Sequence, residues 1–143
     1  MITEQLRSQG YNVDIYNRGY AKVENVSELN RKKYDIFLSL HCNGATGTAT
    51  GTEMLYWVTS FKSKRLASLL QEETLKSLGL RDRGIKSKTF GDRGAYLLRT
   101  TNAPCVILEP FFIDTDSDIE IGKSKKVEYS NGIVNAINKY FNF

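Results

Sequence analysis

The sequence has no long hydrophobic run, only two cysteines and a single histidine. No stretch approaches the roughly 18 consecutive apolar residues that a transmembrane helix needs, so no membrane association is predicted. The opening MITEQLRSQG is polar and lacks the apolar segment of a signal peptide, so we expect no export signal in this chain. Cys42 and Cys105 lie inside apolar stretches without the spacing of a disulfide framework or metal knuckle, which predicts buried, unreactive thiols.

The sequence also lacks long runs of residues with the same charge. The formal net charge is +4, but lysines and arginines alternate with acids, and the densest basic runs are 31–33 and 123–126. This distribution predicts no nucleic-acid partner, although it suits a large polyanion in general. The 143 residues are 41% hydrophobic and 25% charged, the balance of a soluble globular chain, and no linker or repeat divides them. We therefore expect a single domain, 1–143.

Apolar runs of strand length alternate with segments of helical period, which predicts an α/β fold with a mostly parallel central sheet flanked by helices on both faces. The predicted helices are 1–9, 25–33, 61–78, one beginning at 116 and one at the C-terminus. The predicted strands are 11–16, 35–41, 52–58 and 103–109. The run 35–41 is mostly continuous, which favours burial on both faces. Residues 79–94 are polar and glycine-rich and are predicted to be a long loop.

Two polar residues stand where predicted strands end. His41 closes the run 35–41, and Glu109 closes 103–109 directly before Pro110. Ligands of open α/β sheets bind at the carboxyl ends of strands, so both side chains would reach one rim if the strands are parallel. An imidazole there can bind a metal and a carboxylate can transfer protons; an ordinary edge histidine and a loop acid remain the alternatives.

A cysteine nucleophile is less favoured. Strand alternation sends Cys42 to the face opposite His41, and Cys105 lies four residues, about 13 Å, below the end of its strand.

The segments DIFLSLHCNGA, GTEMLYW, LGLRDRGIK and YLLRTTNAPCVILEPFFI, in this order, resemble the zinc-dependent N-acetylmuramoyl-L-alanine amidase family. The resemblance extends over essentially the whole chain. It implies that His41 is a zinc ligand and Glu109 the catalytic glutamate. It also implies a substrate-side role for Asn43, and a substrate-side or structural role for Arg83 and Arg99.

The family also implies an earlier histidine in an HGG-like turn and a glutamate in the first helix, and neither is present. Glu4 has the wrong spacing, and Glu24, Glu28 and Glu53 offer no better replacement; Glu53 is as well explained as a solvent-facing strand residue. Because a catalytic zinc site normally has three protein ligands, we expect the chain to be truncated at its N-terminus relative to the family. An upstream segment or a partner would then complete the site.

The resemblance implies a peptidoglycan hydrolase that cleaves the amide between N-acetylmuramic acid and L-alanine with zinc as cofactor. It would act at the bacterial cell wall as a phage-type lysin or a truncated secreted enzyme. The alternatives are a catalytically inactive wall-binding or partner-binding remnant and, more distantly, a zinc exopeptidase.

Overall fold

The computed structural model describes residues 1–17 and 26–142. The helices are α1 Ile2–Ser8, α2 Val26–Arg31, α3 Phe61–Leu78, α4 Ala95–Thr100, α5 Asp116–Ser124 and α6 Lys126–Phe141. The strands are β1 Phe37–Leu40, β2 Thr52–Trp57, β3 Asp82–Lys88 and β4 Cys105–Glu109. Each helix within residues 1–17 and 26–142 is too short or too polar to cross a bilayer.

The four strands form one sheet in the order β1-β4-β2-β3. β1 pairs with β4 and β2 with β3 in parallel, whereas β2 and β4 are antiparallel. The predicted mostly parallel α/β sheet is therefore confirmed, with one antiparallel pairing at its centre. This pairing places the start of β2 beside the end of β4.

Helices cover both faces of the sheet, as predicted. The larger core joins α1, α3 and α6 to one face through residues such as Met54, Leu70 and Ile137. The smaller core joins α2 and α4 to the other face through Val26 and Leu97. Because successive side chains of a strand point to opposite faces, Glu53, Leu55 and Trp57 lie on the face that carries the smaller core.

Helix α3 spans the predicted residues 61–78. The Ser60 side chain accepts a hydrogen bond from the backbone N–H of Ser63 at its start. Gly79 ends the helix in the left-handed conformation, with φ of 68°, which glycine adopts without steric cost.

Three predictions about strands are wrong. Residues 79–94 contain β3, which lies at the edge of the sheet and pairs only with β2. Its sequence is polar and has no hydrophobic run that would have predicted a strand. Residues 11–16 form no strand, and their alternation reflects packing of Tyr11 and Val13 against the larger core. β1 is not buried on both faces, since Leu40 is 60% exposed at its end. Part of the predicted helix 25–33 and the candidate Glu24 concern residues outside the described ranges.

Candidate active site

The parallel pairing of β1 and β4 brings His41 and Glu109 to the same end of the sheet. The register joins Leu40 to Leu108, and the His41 N–H donates to the Leu108 carbonyl at 3.0 Å. Both side chains line a cavity of about 140 Å³ together with Leu55, Arg93, Gly94 and Ile107. The imidazole Nε2 lies 2.8 Å from Ser39 Oγ. The structure thus brings together the two strand-end residues singled out from the sequence.

Glu109 is a buried carboxyl, with 1% of the residue exposed. Oε1 accepts a hydrogen bond from Arg93 Nη2 at 2.6 Å, whereas the buried Oε2 has no hydrogen-bond partner among the described residues. Burial raises the pKa of Glu109 above its ordinary value; the Arg93 guanidinium opposes this change, and the neighbouring Glu53 carboxyl adds to it. A carboxyl with a raised pKa, lining a cavity, is suited to proton transfer.

A second buried carboxyl, Glu53, lies beside Glu109 because the two are paired across the antiparallel strands. Asn43 Nδ2 donates to Glu53 Oε1 at 2.7 Å, and Arg83 Nε donates to Glu53 Oε2 at 3.2 Å. Asn43 Oδ1 also lies 3.4 Å from Arg93 Nη2. These contacts connect two carboxyls, two guanidiniums and one amide in a continuous network.

The network corrects two interpretations made from the sequence. Glu53 is not a solvent-facing strand residue: it is 8% exposed, and both its oxygens accept hydrogen bonds. Asn43 is likewise buried, and its amide is used within the protein. Arg83 belongs to this network and stacks over the Phe112 ring at 5.0 Å.

Sequence reasoning missed Arg93 altogether. Its position in the segment GDRG gave no periodic signal, and only the folded path of residues 89–94 over the sheet brings it to Glu109. Gly94 has a φ of 81°, a conformation that favours glycine, and a Cβ atom there would also lie 2.6 Å from the end of the Ile107 side chain.

The loop 43–51 is fixed against the segment after β4. Asp118 Oδ2 accepts hydrogen bonds from the N–H groups of Gly51 at 3.1 Å and Phe112 at 3.0 Å, and Oδ1 accepts one from the Thr50 hydroxyl. Asp114 accepts from the N–H groups of Ala45 and Gly47. These side chains hold the floor beside the cavity in one conformation.

Arg99 is not part of the network around Glu109. Its guanidinium lies over Phe90 and Tyr96, 4.8 and 5.8 Å from the ring centroids. Of the two thiols, Cys105 is buried as predicted, whereas the prediction of burial is wrong for Cys42, which is exposed.

The described residues do not fit a zinc ion on their own. The sequence contains one histidine, and residues 1–17 and 26–142 contain no group of three or more His, Cys, Asp or Glu side chains placed to hold a metal. Even with Glu109 Oε2, which accepts no hydrogen bond there, counted as a donor atom, His41 and Glu109 together fall short of three ligands.

A buried carboxyl that ends a strand and lines a cavity has the position that a general acid–base group of an enzyme needs. Comparison with known proteins gives the particular family. The chain belongs to the N-acetylmuramoyl-L-alanine amidase family, whose model matches residues 1–139.

The chain is also similar to individual proteins, two of which are named N-acetylmuramoyl-L-alanine amidases. The chain is similar to the Bacillus subtilis protein YqiI, with 30% identity over 98% of the chain and 69% of that protein. It is also similar to the B. subtilis N-acetylmuramoyl-L-alanine amidase LytC, with 31% identity over 82% of the chain, but only 23% of LytC is covered. The chain is also similar to the crystal structure of an N-acetylmuramoyl-L-alanine amidase from Clostridium difficile 630. The match covers 99% of this chain and 78% of the amidase chain, with a TM-score of 0.80 and 25% sequence identity.

Proposed function

We propose that this domain hydrolyses peptidoglycan by cleaving the amide between N-acetylmuramic acid and the L-alanine of the stem peptide. The observation that carries the proposal is the buried Glu109, which lines a cavity beside His41 and has one carboxylate oxygen that accepts no hydrogen bond. Membership of the amidase family supports the choice of bond.

In this proposal Glu109 is the acid–base group. Its carboxylate accepts a proton from the attacking water and then delivers it to the departing alanine nitrogen. The Arg93 guanidinium, 2.6 Å from Oε1, stabilises the ionised carboxylate before the first transfer and again after the second. Proton transfer by a positioned side chain contributes roughly 10²- to 10⁴-fold to a rate.

Asn43 and Arg83 act on the other side of Glu109 in this proposal. Together they hold the Glu53 carboxyl, and Asn43 also orients Arg93, so their contribution to substrate binding is through the shape of the site. The small residues of the loop 43–51 leave the adjoining surface open to a polymer.

Zinc dependence is the finer part of the proposal. His41 would be one ligand, and the remaining ligands would come from protein atoms other than the described residues, in keeping with the predicted upstream segment or partner. A zinc ion in such a completed site would polarise the scissile carbonyl and acidify water.

A catalytically inactive wall-binding domain is the second candidate. It is favoured by one observation: the described residues do not supply three metal ligands. The two candidates share the same fold and the same wall polymer, so only activity separates them.

The test compares the wild-type chain with Glu109→Gln, and uses Glu120→Gln at an exposed position as the matched control. Dye release from labelled cell walls, with zinc in the buffer, measures hydrolysis, and new N-terminal alanine identifies the bond. We expect Glu120→Gln to equal the wild type and Glu109→Gln to lose roughly 10²- to 10⁴-fold in rate.

Retained activity in Glu109→Gln would remove Glu109 from the acid–base role. If the wild-type protein pelleted with walls but released no dye, the wall-binding candidate would replace the enzyme.

A further inference from the structure

An exposed aromatic side chain is held by ring contacts on the side of the sheet that carries the smaller core. Phe90 is 74% exposed, yet its ring lies edge-to-face on Trp57 with centroids 5.3 Å apart. The Arg99 guanidinium is stacked between Phe90 and Tyr96. A ring held in place while exposed loses little conformational entropy when a ligand covers it.

The surroundings of this ring are cationic. Lys86 and Lys88 are paired with Leu55 and Trp57 in the parallel register, so they project on the same side of the sheet as Trp57. We name Lys86, Lys88, Phe90, Tyr96 and Arg99 the basic aromatic surface.

The cations of this surface form no salt bridge in the part of the chain that is described, although the charge of Lys88 acts on the carboxyls of Asp92 and Glu109. No ion pair within residues 1–17 and 26–142 involves Lys86, Lys88 or Arg99. The nearby Asp92 carboxylate accepts hydrogen bonds from the Thr89 N–H at 2.8 Å and hydroxyl at 3.2 Å. This carboxylate is partly used within its own turn, and Lys86 and Arg99 have no salt-bridge partner among the described residues, so an external anion would meet a net positive charge.

The surface lies on the same side of the sheet as the cavity at Glu109, and the charge of Lys88 acts on the Glu109 carboxyl. Arg93 and Gly94 line that cavity, and α4, which carries Tyr96 and Arg99, begins at the next residue. Leu55 lines the cavity as well and shares the smaller core with Trp57. A polymer bound at Glu109 can therefore extend over the basic aromatic surface without leaving the protein.

We propose that the basic aromatic surface binds the carboxylate-bearing stem peptide of peptidoglycan next to the scissile amide, an inference that rests on the proposed function. The positive charge of the surface favours the stem peptide over the glycan as the part of the polymer that binds here. The muramic carboxyl is consumed in the amide, so the glycan has no free carboxylate, whereas the stem peptide has several. The planar guanidinium of Arg99 is pre-organised for a carboxylate, and the Phe90 ring offers apolar contact to the neighbouring peptide backbone.

The test measures binding, which does not require catalysis. NMR titration compares three probes: the N-acetylated peptide L-Ala-D-Glu-L-Lys with free carboxylates, the same peptide with every carboxyl amidated, and chitotetraose as the glycan. The variants are Arg99→Gln and Phe90→Ala. The matched controls are Arg65→Gln, an arginine stacked over Tyr140 at 5.0 Å in the opposite layer, and Phe61→Ala at an 86% exposed phenylalanine.

We expect the free peptide to bind the wild type, with shifts at residues 86–99, and about tenfold more weakly to Arg99→Gln. The amidated peptide should bind the wild type about as weakly as the free peptide binds Arg99→Gln. Phe90→Ala should also bind the free peptide more weakly, and both control variants should bind it as the wild type does. Equal affinity of the free and amidated peptides, unchanged binding by Arg99→Gln, no peptide binding by the wild type, or binding of chitotetraose alone would each overturn the inference.

Glu109→Gln separates this inference from the proposed function, because it should bind the peptide normally whatever its activity. Peptide binding without dye release would support the surface and refute the enzyme. Dye release by a protein whose peptide affinity is unaffected by Arg99→Gln would support the enzyme and refute the binding role of the surface.

Discussion

Replacement of Asp118 should destabilise the domain by an amount that depends on the replacing side chain. Asp118 is fully buried and accepts hydrogen bonds from Gly51, Phe112 and Thr50. Asp118→Ala leaves the two buried N–H groups unsatisfied at about 1–3 kcal/mol each, while the half-buried Thr50 hydroxyl can turn to water. We expect a loss of about 3–5 kcal/mol, a large part of the 5–15 kcal/mol typical of a domain.

Asp118→Asn should be milder. An asparagine can place its oxygen at the Oδ2 position, where it still accepts from Gly51 and Phe112, and turn its NH₂ group to the Thr50 oxygen. Only the charge-assisted strength is lost, which we put at about 1–2 kcal/mol.

Urea unfolding measures both effects against Asp116→Ala, an exposed acid in the first turn of the same helix. With a slope of about 2 kcal/mol per molar urea, Asp118→Ala should lower the midpoint by about 2 M. Equal losses for alanine and asparagine, or an alanine loss no larger than that of the Asp116 control, would show that these hydrogen bonds do not hold the loop.

The remaining predictions concern packing and thiol reactivity. Gly132→Ala in α6 should destabilise the protein by about 1–2 kcal/mol in urea unfolding, although alanine has the higher helix propensity. The reason is that the alanine Cβ would lie 2.4 Å from Ser77 Oγ and 3.0 Å from the Glu73 carbonyl oxygen. A stabilised variant would contradict this prediction. Native alkylation at pH 8 should label exposed Cys42 but not Cys105, because burial raises the pKa of the Cys105 thiol to about 12. Mass spectrometry should find both thiols labelled in denaturant, and native labelling of Cys105 would refute the packing described for β4.

The sequence predicted those elements whose signals are local. Helix α3 has a serine cap, an apolar stripe and a terminal glycine, and its predicted bounds are those of the structure. Strand β4 is a continuous apolar run ended by proline, and its burial is complete. Such elements are readable because each residue's preference agrees with its environment.

Elements defined by a partner were not predictable in the same way. Strand β3 is polar and exists because its backbone pairs with β2. Position and partner, rather than residue type, decide the structure of such an edge strand.

The candidate site shows the same division. His41 and Glu109 could be found because each interrupts an apolar strand at its end. Glu53 and Arg93 could not, because their roles depend on the antiparallel pairing of β2 with β4 and on the path of residues 89–94. The roles of all these residues in catalysis remain predictions for the experiments above.

The antiparallel contact between β2 and β4 makes the chain unequally tolerant of insertions. One residue added within β2 would turn Glu53 toward α3 and present an apolar neighbour to Glu109, leaving Arg83 without its carboxylate. One residue added at the exposed positions 46–48 would lengthen a turn whose two ends stay fastened. A library of insertions scored for folding should therefore show a sharp boundary at Gly51, where tolerance ends.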